Sequence, residues 1–402
     1  MSNTMVLVIN TGSSSIKMAL VEMPSEKLLS EAVTERVGET GTILSWKIGG
    51  EIQQFDLAGA VHDAAMAKML EILFARVDRE SIAAVGHRVV HGGEKFIKPT
   101  LLDESVIAEI TSLSHLAPLH NPANLLGIQA AMKHLPLIPH VAIFDTAFHH
   151  AMPPHASLYA VPYSWYSDYG VRRYGFHGSS HHYVAQQAAQ LLGRRFNDCH
   201  LITAHLGNGC SATAIANGIS VDTTMGMTPL EGLVMGSRSG DVDPGLHEYM
   251  ARVSGASLTE VSEALNRESG LLGLSGRSND MRTLLEAAEA GDERSALAVD
   301  LFCYRLAKSL AGLAVALSQV DAIVFTGGIG EHAAVVRDKT VAQLTILGVA
   351  LDAERNRQHG SASHGFISRA ECSIPVLVVA TSEETMIARY AYEALNQEEK
   401  IT

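Results

Sequence analysis

The sequence predicts an α/β protein. Short apolar runs at 6–9, 83–85, 141–144, 201–204, 323–325 and 376–379 mostly end in Gly, Ser, Asn, Asp or Thr, as buried strands end in turns. Longer helical patterns lie between them, and this alternation puts helices on the faces of sheets. The chain has 402 residues. At about 150 residues per domain, that length predicts two or three domains.

Taken in order, the first strand runs into Asn10-Thr-Gly-Ser-Ser-Ser-Ile-Lys17 and a second alternating strand. The stretch at 201–215 repeats the plan 195 residues later, with a strand, a polar residue (His205 in place of Asn10), a small-residue turn and another strand. Gly12 and Gly207 are the main identity, so the echo reads either as two ordinary hairpins or as two related domains. Leu306, Leu310, Leu313 and Leu317 follow i, i+4, i+7, i+11, one face of a helix over about 293–319. The last helix, over about 382–397, opens with Thr381-x-x-Glu384, a capping-box spacing.

Composition narrows the function. Apolar residues make up 47% and charged residues 18%, the latter below the usual value of about 25%. The net charge of −13 argues against nucleic acid or an anionic membrane as partner, since both select a basic patch. The four cysteines are far apart with no C-x-x-C pair, which predicts a reducing compartment rather than a disulfide framework or thiol zinc site. The start carries only a short apolar run and no basic n-region, and no stretch approaches the roughly 20 apolar residues of a membrane span. A cytoplasmic protein is the expectation.

Six motifs carry chemistry. In 10–17, small residues let backbone N–H groups approach an oxyanion, with Lys17 as a further donor; the plain alternative is a serine-rich turn. In GHRVVHGG (86–93), Arg88 sits beside glycines where its planar fork reaches a carboxylate or phosphate. His87 and His91 have i, i+4 spacing, but flanking glycines argue against a helix and so against zinc. Asp145 ends an apolar strand, where ligands of α/β sheets bind; metal contact, general base, orientation of an arginine and a helix N-cap are its alternative roles. His177, between Phe176 and Gly178, lies in a turn and suits donation to a developing negative charge, or is a surface histidine. Arg238 has glycines on both sides, with Asp241 and Asp243 placed either to hold its guanidinium or to form turns. FTGGIGE (325–331) is a strand running into a glycine turn; its spacing is not that of a dinucleotide fingerprint, though a nucleotide lying against the glycines fits. Two arginines, a histidine, carboxylates and three glycine-rich turns together match phosphoryl transfer, which needs positioning and charge neutralisation more than covalent chemistry.

The stretches NTGSSSIK, GHRVVHGG, LAPLHNP, FDTAFH, RRYGFHG, HLGNG, MGMTPLEGLVMGSRSGDVDP, ESGLLG and FTGGIGE, in order from Val6 to about Ala394, resemble those of the acetate kinases. The resemblance implies two ribonuclease-H-like domains of the actin and sugar-kinase superfamily around an ATP cleft. It implies residues 1–148, completed by a C-terminal helix at 385–402, as one domain, and 149–384 as a nucleotide-binding and dimerisation domain. It further implies reversible transfer of the ATP γ-phosphoryl group to acetate, giving acetyl phosphate and ADP, by a homodimer with magnesium, manganese being the alternative. Propionate kinase is the near rival; an actin-like filament or chaperone ATPase is the rival of another class, and a glycine-turn dehydrogenase a distant one.

Carried over position by position, the resemblance gives Arg88 and Arg238 the acyl carboxylate and the phosphoryl group. His177 takes the transition state, and Asp145 an essential organising role through Arg238 or magnesium. Asn10 and Glu383 fall at the metal, and Lys17 near the phosphates. His205, Leu206, Gly207, Asn208 and Gly209, then Asp280, Met281 and Arg282, then Gly328, Ile329, Gly330, Glu331 and His332, line the nucleotide site. Val90, Leu119, Phe176 and Pro229 form the methyl pocket. Three positions depart from the family pattern: Met281 stands where an aromatic is common, His332 where Asn is usual, and Ser382 where Asn commonly precedes Glu383-Glu384.

Overall fold

The computed structural model of the chain describes residues 4–48 and 51–398, so 1–3, 49–50 and 399–402 of the expected domain ranges lie outside the described residues. It divides into two compact units, Met1–Phe148 with Ser382–Thr402, and His149–Thr381.

The first unit contains strands β1 (Thr4–Thr11), β2 (Ser15–Met23), β3 (Lys27–Glu35), β4 (Ile43–Ile48), β5 (Glu51–Asp56), β6 (Ile82–Val89), β7 (Thr100–Leu101) and β8 (His140–Phe144), in the sheet order β5-β4-β3-β2-β1-β6-β8-β7. The second contains β9 (His200–Leu206), β10 (Cys210–Ala216), β11 (Ile219–Thr223), β12 (Ala322–Thr326) and β13 (Val376–Val378), in the order β11-β10-β9-β12-β13. The two sheets repeat one plan. An antiparallel β1-β2-β3 meander has β6 and then β8 parallel beside β1, just as β9-β10-β11 has β12 and then β13 parallel beside β9. This duplicated order is what the echo between 6–20 and 201–215 reflects: two related sheets rather than two unrelated hairpins.

The helices that position functional groups are α1 (His62–Phe74), α2 (Asn121–His134), α3 (Gly178–Leu191), α4 (Met281–Glu289), α5 (Glu293–Leu313), α6 (Gly327–His332) and α7 (Glu383–Glu398). Alternation along β1 explains why its run is continuously apolar. Leu7 and Ile9 pack with Met66, Met69, Leu70 and Leu73 of α1 and Ala130 and Ala131 of α2. Val6 and Val8 pack on the other face with Ile387, Ala388 and Ala391 of α7. A strand covered on both faces needs apolar residues at every position.

Three sequence expectations are corrected. The 83–85 strand extends to Val89, so Gly86, His87 and Arg88 lie inside β6. Gly86 belongs there because a Cβ would stand 2.9 Å from Ile387 Cγ2, so its absence lets α7 approach. The helix expected over 293–319 stops at Leu313 and tightens into a 3₁₀ turn, Ala314–Ala316, that still buries Leu317. The chain must leave the helix there to enter β12 at Ala322, with Asp321 accepting from the His200 N–H at 2.8 Å. The Thr381/Glu384 capping box does not form: Thr381 N–H donates to Glu331 Oε1 and its hydroxyl pairs with Ser180 Oγ. Ser382 instead starts α7, its carbonyl accepting from Met386 N–H at 3.2 Å.

Two helical glycines should respond oppositely to the same substitution. A Cβ on Gly127 of α2 would lie 2.0 Å from Thr11 Oγ1 and 2.6 Å from Thr11 Cβ, so Gly127→Ala must part α2 from β1. A Cβ on Gly312 of α5 meets nothing within 4 Å. Urea unfolding should show Gly127→Ala destabilised by about 2 kcal/mol or more. Gly312→Ala should be stabilised by up to about 1 kcal/mol through helix propensity.

Candidate active site

In the first unit the reactive groups collect at the carboxyl ends of the parallel strands β1, β6 and β8, where open α/β sheets bind ligands. Arg88 is the penultimate residue of β6, in register with Ile143 of β8. Asp145 follows β8 directly and continues the ladder, its N–H donating to Val89 O at 3.0 Å. Their side chains therefore meet. Arg88 Nε donates to Asp145 Oδ1 at 2.9 Å and Nη2 to Oδ2 at 2.7 Å, while Nη1 lies 3.6 Å from Glu383 Oε2 at the start of α7. Within the first unit Asp145 thus holds Arg88, because neighbouring strand ends place those two side chains within reach of one bidentate fork.

Asp145 is only 3% exposed at its side chain. Burial pushes its carboxyl up from the usual value and the Glu383 charge adds to this, against the Arg88 charge and hydrogen bonds. For Arg88, burial favours the neutral form, but Asp145 and Glu383 outweigh it and hold the guanidinium charged. With Nε and one Nη2 proton committed to Asp145, Arg88 keeps further donors in its fork for an anion.

The loop after Arg88 is clamped by two asparagines of α2. Asn124 Oδ1 accepts from the Val90 N–H and its Nδ2 donates to Thr11 O at 2.7 Å; Asn121 Oδ1 accepts from the His91 N–H and its Nδ2 donates to His91 O. His87, far from being a metal ligand, pairs in the interior with His140, Nε2 to Nδ1 at 2.8 Å. His140 Nε2 faces the Leu135 carbonyl, an acceptor only, so His140 Nδ1 is the bare nitrogen and His87 Nε2 carries the proton. Asn10 on β1 is in register with Lys17 on β2. Both line a pocket of about 440 Å³ with Glu31, Glu35, Lys47, Glu383 and Glu384. Burial raises the Glu384 carboxyl there, the Glu383 charge adds to it, and Lys17 opposes. Ser382, the departure before these glutamates, bonds Thr385 Oγ1 at 2.6 Å.

In the second unit, His177 adopts a left-handed conformation at φ 58° as the N-cap of α3. Its Nδ1 lies 2.8 Å from Ser211 Oγ, and its ring stacks on His205 with centroids 4.4 Å apart. Arg238 Nη1 donates to Pro229 O at 3.1 Å. A Cβ built on Gly209 would stand 3.4 Å from both His177 Nε2 and Arg238 Nη1, so the two donors converge on the space this glycine leaves. Asp241 and Asp243 take the turn-forming role, Oδ1 of each accepting from the N–H of Gly232 and Gly245 respectively. Near Pro229, on either side of it in sequence, lies a network that the sequence does not announce. Arg173 Nη2 donates to Glu231 Oε1 at 2.6 Å, Tyr159 bonds the same carboxylate, and Arg173 Nη1 donates to Thr224 O at 3.0 Å.

A second pocket, of about 520 Å³, is lined by Gly207, Asn208, Asp280, Met281, Arg282, Gly328, Ile329 and His332, with Asn279, Leu285 and Ala333 added. His205, Leu206, Gly209, Gly330 and Glu331 are not in its wall, and Lys17 belongs to the first unit. Glu331 turns inward, Oε1 accepting from the N–H groups of Gly327 and Thr381. Gly330 O accepts from Arg337 Nη1 at 2.8 Å. Asp280 is the N-cap of α4, accepting from the N–H groups of Arg282 and Thr283; its bond to the Arg282 side chain at 3.0 Å leads the causes that hold its carboxyl below the usual value. Of the methyl-pocket residues, Val90 and the half-exposed Leu119 belong to the first unit, and the buried Phe176 and partly buried Pro229 to the second.

The model of the acetokinase family matches residues 5–389. The acetate kinase of Deinococcus radiodurans is 52% identical over 383 residues, covering 95% of this chain and 96% of the relative. A propionate kinase structure from Francisella tularensis superposes with a TM-score of 0.93 at 40% identity, covering 97% of this chain and 99% of that one. An acetate kinase structure from Porphyromonas gingivalis gives 0.90 at 42% identity, covering 98% and 100%.

Two buried histidines predict an acid-sensitive fold. Burial holds His149 down at about 4 and, joined by the His149 and His205 charges, holds His181 well below its usual value. As pH falls from about 6.5 toward 4, the unfolded chain binds protons that the folded chain refuses. Their stabilising contribution is therefore complete above about 6.5 and lost on acidification; for His149 alone the shift corresponds to about 3 kcal/mol. The urea midpoint should drop across this window, and His149→Gln should flatten the drop.

Proposed function

The chain belongs to the acetokinase family, and from that premise we propose that it reversibly transfers the γ-phosphoryl group of ATP to acetate. An acetate oxygen forms the new bond to phosphorus as the bond to the β–γ bridging oxygen breaks, giving acetyl phosphate and ADP. The observation that carries this reading is the closeness of His177 Nε2 and Arg238 Nη1 to Gly209, each 3.4 Å from the position a Cβ would take there. Acetate is ionised at neutral pH, the reference carboxyl value being about 4, so no strong base is needed. Asp145 then organises Arg88 instead of removing a proton, and Arg88 binds the acyl carboxylate. Arg238 and His177 neutralise charge on the phosphoryl oxygens in flight.

The pocket of Asn208, Asp280, Met281, Gly328 and His332 takes the nucleotide in this reading. Lys17, His205, Leu206, Gly209, Arg282, Ile329, Gly330 and Glu331 act around it, either directly or by holding its loops. Val90, Leu119, Phe176 and Pro229 receive the methyl group. Among the described residues, no group of three or more His, Cys, Asp or Glu side chains is arranged to hold a metal. Asn10 and Glu383 line one pocket, and magnesium is characteristically held by one or two protein oxygens with phosphates and water completing its shell. These two side chains fit a magnesium or manganese ion that arrives with the nucleotide and, when bound, neutralises phosphate charge.

The proposal includes the division into domains at 1–148 with 385–402, and 149–384, and a homodimer formed through the second. The helix Gly245–Ser254 supports the dimer, since none of its residues is buried and Tyr249, Met250 and Val253 are exposed. No helix among the described residues is long and apolar enough to cross a membrane. The unpaired Cys199, Cys210, Cys303 and Cys372 accord with a reducing cytoplasm. Propionate is the second reading, favoured by the Francisella tularensis structure. One methylene in an apolar pocket is worth about 1–3 kcal/mol, so propionate should turn over more slowly than acetate while remaining a substrate.

With acetate and Mg-ATP, hydroxylamine should trap acetyl hydroxamate, with a smaller yield from propionate and least from butyrate. ATP hydrolysis without any hydroxamate would favour a filament or chaperone ATPase instead. Arg238→Ala and Arg88→Ala should each lower kcat by about 10²-fold or more; near-normal turnover in Arg238→Ala would refute the mechanism.

A further inference from the structure

We propose that Ser211, itself set by His181 and Thr203, fixes His177 in the tautomer that carries its proton on Nε2. This makes the neutral ring a hydrogen-bond donor toward the space beside Gly209. What that donor serves rests on the kinase reading; the tautomer stands on the geometry alone.

The four groups form one line. Thr203 Oγ1 lies 2.7 Å from His181 Nδ1, His181 Nε2 lies 2.7 Å from Ser211 Oγ, and Ser211 Oγ lies 2.8 Å from His177 Nδ1. Thr203, His181 and Ser211 are all fully buried, so each hydroxyl proton must find an acceptor within the fold. The direction of the line follows from counting protons. Among the described residues, the hydroxyl of Thr203 has a single hydrogen-bond partner, His181 Nδ1. If His181 donated to Thr203, the threonine proton would be left unpaired in the interior. Thr203 therefore donates, and His181 Nδ1 accepts.

A neutral His181 then carries its proton on Nε2 and donates it to Ser211 Oγ. Neutrality is what its surroundings require: burial opposes a charge, as do the neighbouring His149 and His205. His149 is itself a neutral ring, its Nε2 facing the Phe176 carbonyl at 3.0 Å and its Nδ1 facing Ser220 Oγ at 2.7 Å. With an oxygen lone pair engaged by His181, Ser211 directs its only proton to His177 Nδ1. That leaves the proton of a neutral His177 on Nε2, the atom 3.4 Å from the Cβ position of Gly209.

The reversed line would put a bare nitrogen there. A lone pair facing phosphoryl oxygens repels them where an N–H would bind them, so the direction of three hydroxyl and imidazole protons decides whether His177 helps or hinders. Ser211 is in this sense a positioning residue, acting through His177.

The ring-nitrogen chemical shifts of isotope-labelled histidine, with His177→Gln to assign the signal, read the tautomer in the ligand-free protein. Wild type should show His177 protonated on Nε2 alone. Ser211→Ala and Thr203→Val should each raise the Nδ1-protonated fraction, and Thr203→Ser, which keeps the hydroxyl, should restore the wild-type spectrum. In parallel, kcat should fall about tenfold in Ser211→Ala with the KM for ATP within about twofold, the signature of a contact made in the transition state. His177 protonated on Nδ1 in the wild type, or a tautomer unmoved by both Ser211→Ala and Thr203→Val, overturns the proposal. Should Ser211→Ala not fold, Thr203→Val alone decides. A wild type that makes no acyl phosphate would remove the kinase reading and leave the tautomer result intact.

Discussion

The bidentate pair between Arg88 and Asp145 is the contact around which the first unit's chemistry is arranged. A nearly buried carboxylate is costly unless it is matched, and a guanidinium fork matches both of its oxygens at once. The match needs two adjacent parallel strands that end in register, and β6 and β8 supply them. Burying those strands on both faces is then the task of α1, α2 and α7. Gly86 and Gly127 allow the approach, and Asn121 and Asn124 tie the loop after Arg88 to α2. Packing and polar satisfaction thus serve the same end, a cation held still with donors left over.

The second unit solves a related problem with neutral groups. His149, His177, His181 and His205 are drawn together by close ring contacts, including His177 on His205 and His149 against His181. Four cations could not share such a volume. Hydroxyls of Thr203, Ser211, Ser220 and Ser180 fill the positions that charges would otherwise demand. Because each hydroxyl brings one proton and each neutral ring one more, such a network has few self-consistent arrangements. Uniqueness of proton placement is what a hydroxyl network offers that a buried ion pair does not.

A net charge of −13 looks ill-suited to anionic substrates, but the cationic groups of the candidate site stand near strand ends and glycine-rich segments. Arg88 and Arg238 stand beside glycine-rich segments, and Lys17 faces Asn10 across a hairpin. Total charge governs solubility and non-specific partners, whereas anion recognition depends on a few donors at short range. The three family departures sit differently in this picture. Met281 is buried and His332 reaches the same pocket wall, while Ser382 takes over the start of α7.

Periodicity and local chemistry made much legible in advance. The apolar runs located strands of both sheets because doubly covered strands are apolar throughout, and the long motifs carried the family and with it the fold. The repeated hairpin hinted at duplication but could not prove it, since strand order depends on pairings between residues far apart in sequence. Helix ends depart from local signals where tertiary demands override them: Thr381 gives its N–H to Glu331, and the chain after Leu313 turns to enter β12. By itself the sequence determined which residue types carry the chemistry and the family they belong to. Only the tertiary structure decided the partnerships: that Asp145 holds Arg88, that Glu331 and Asp280 anchor their own loops, and that Ser211 lies between two histidines. Partnership is a matter of distance and direction across neighbouring strands, and a linear pattern encodes neither.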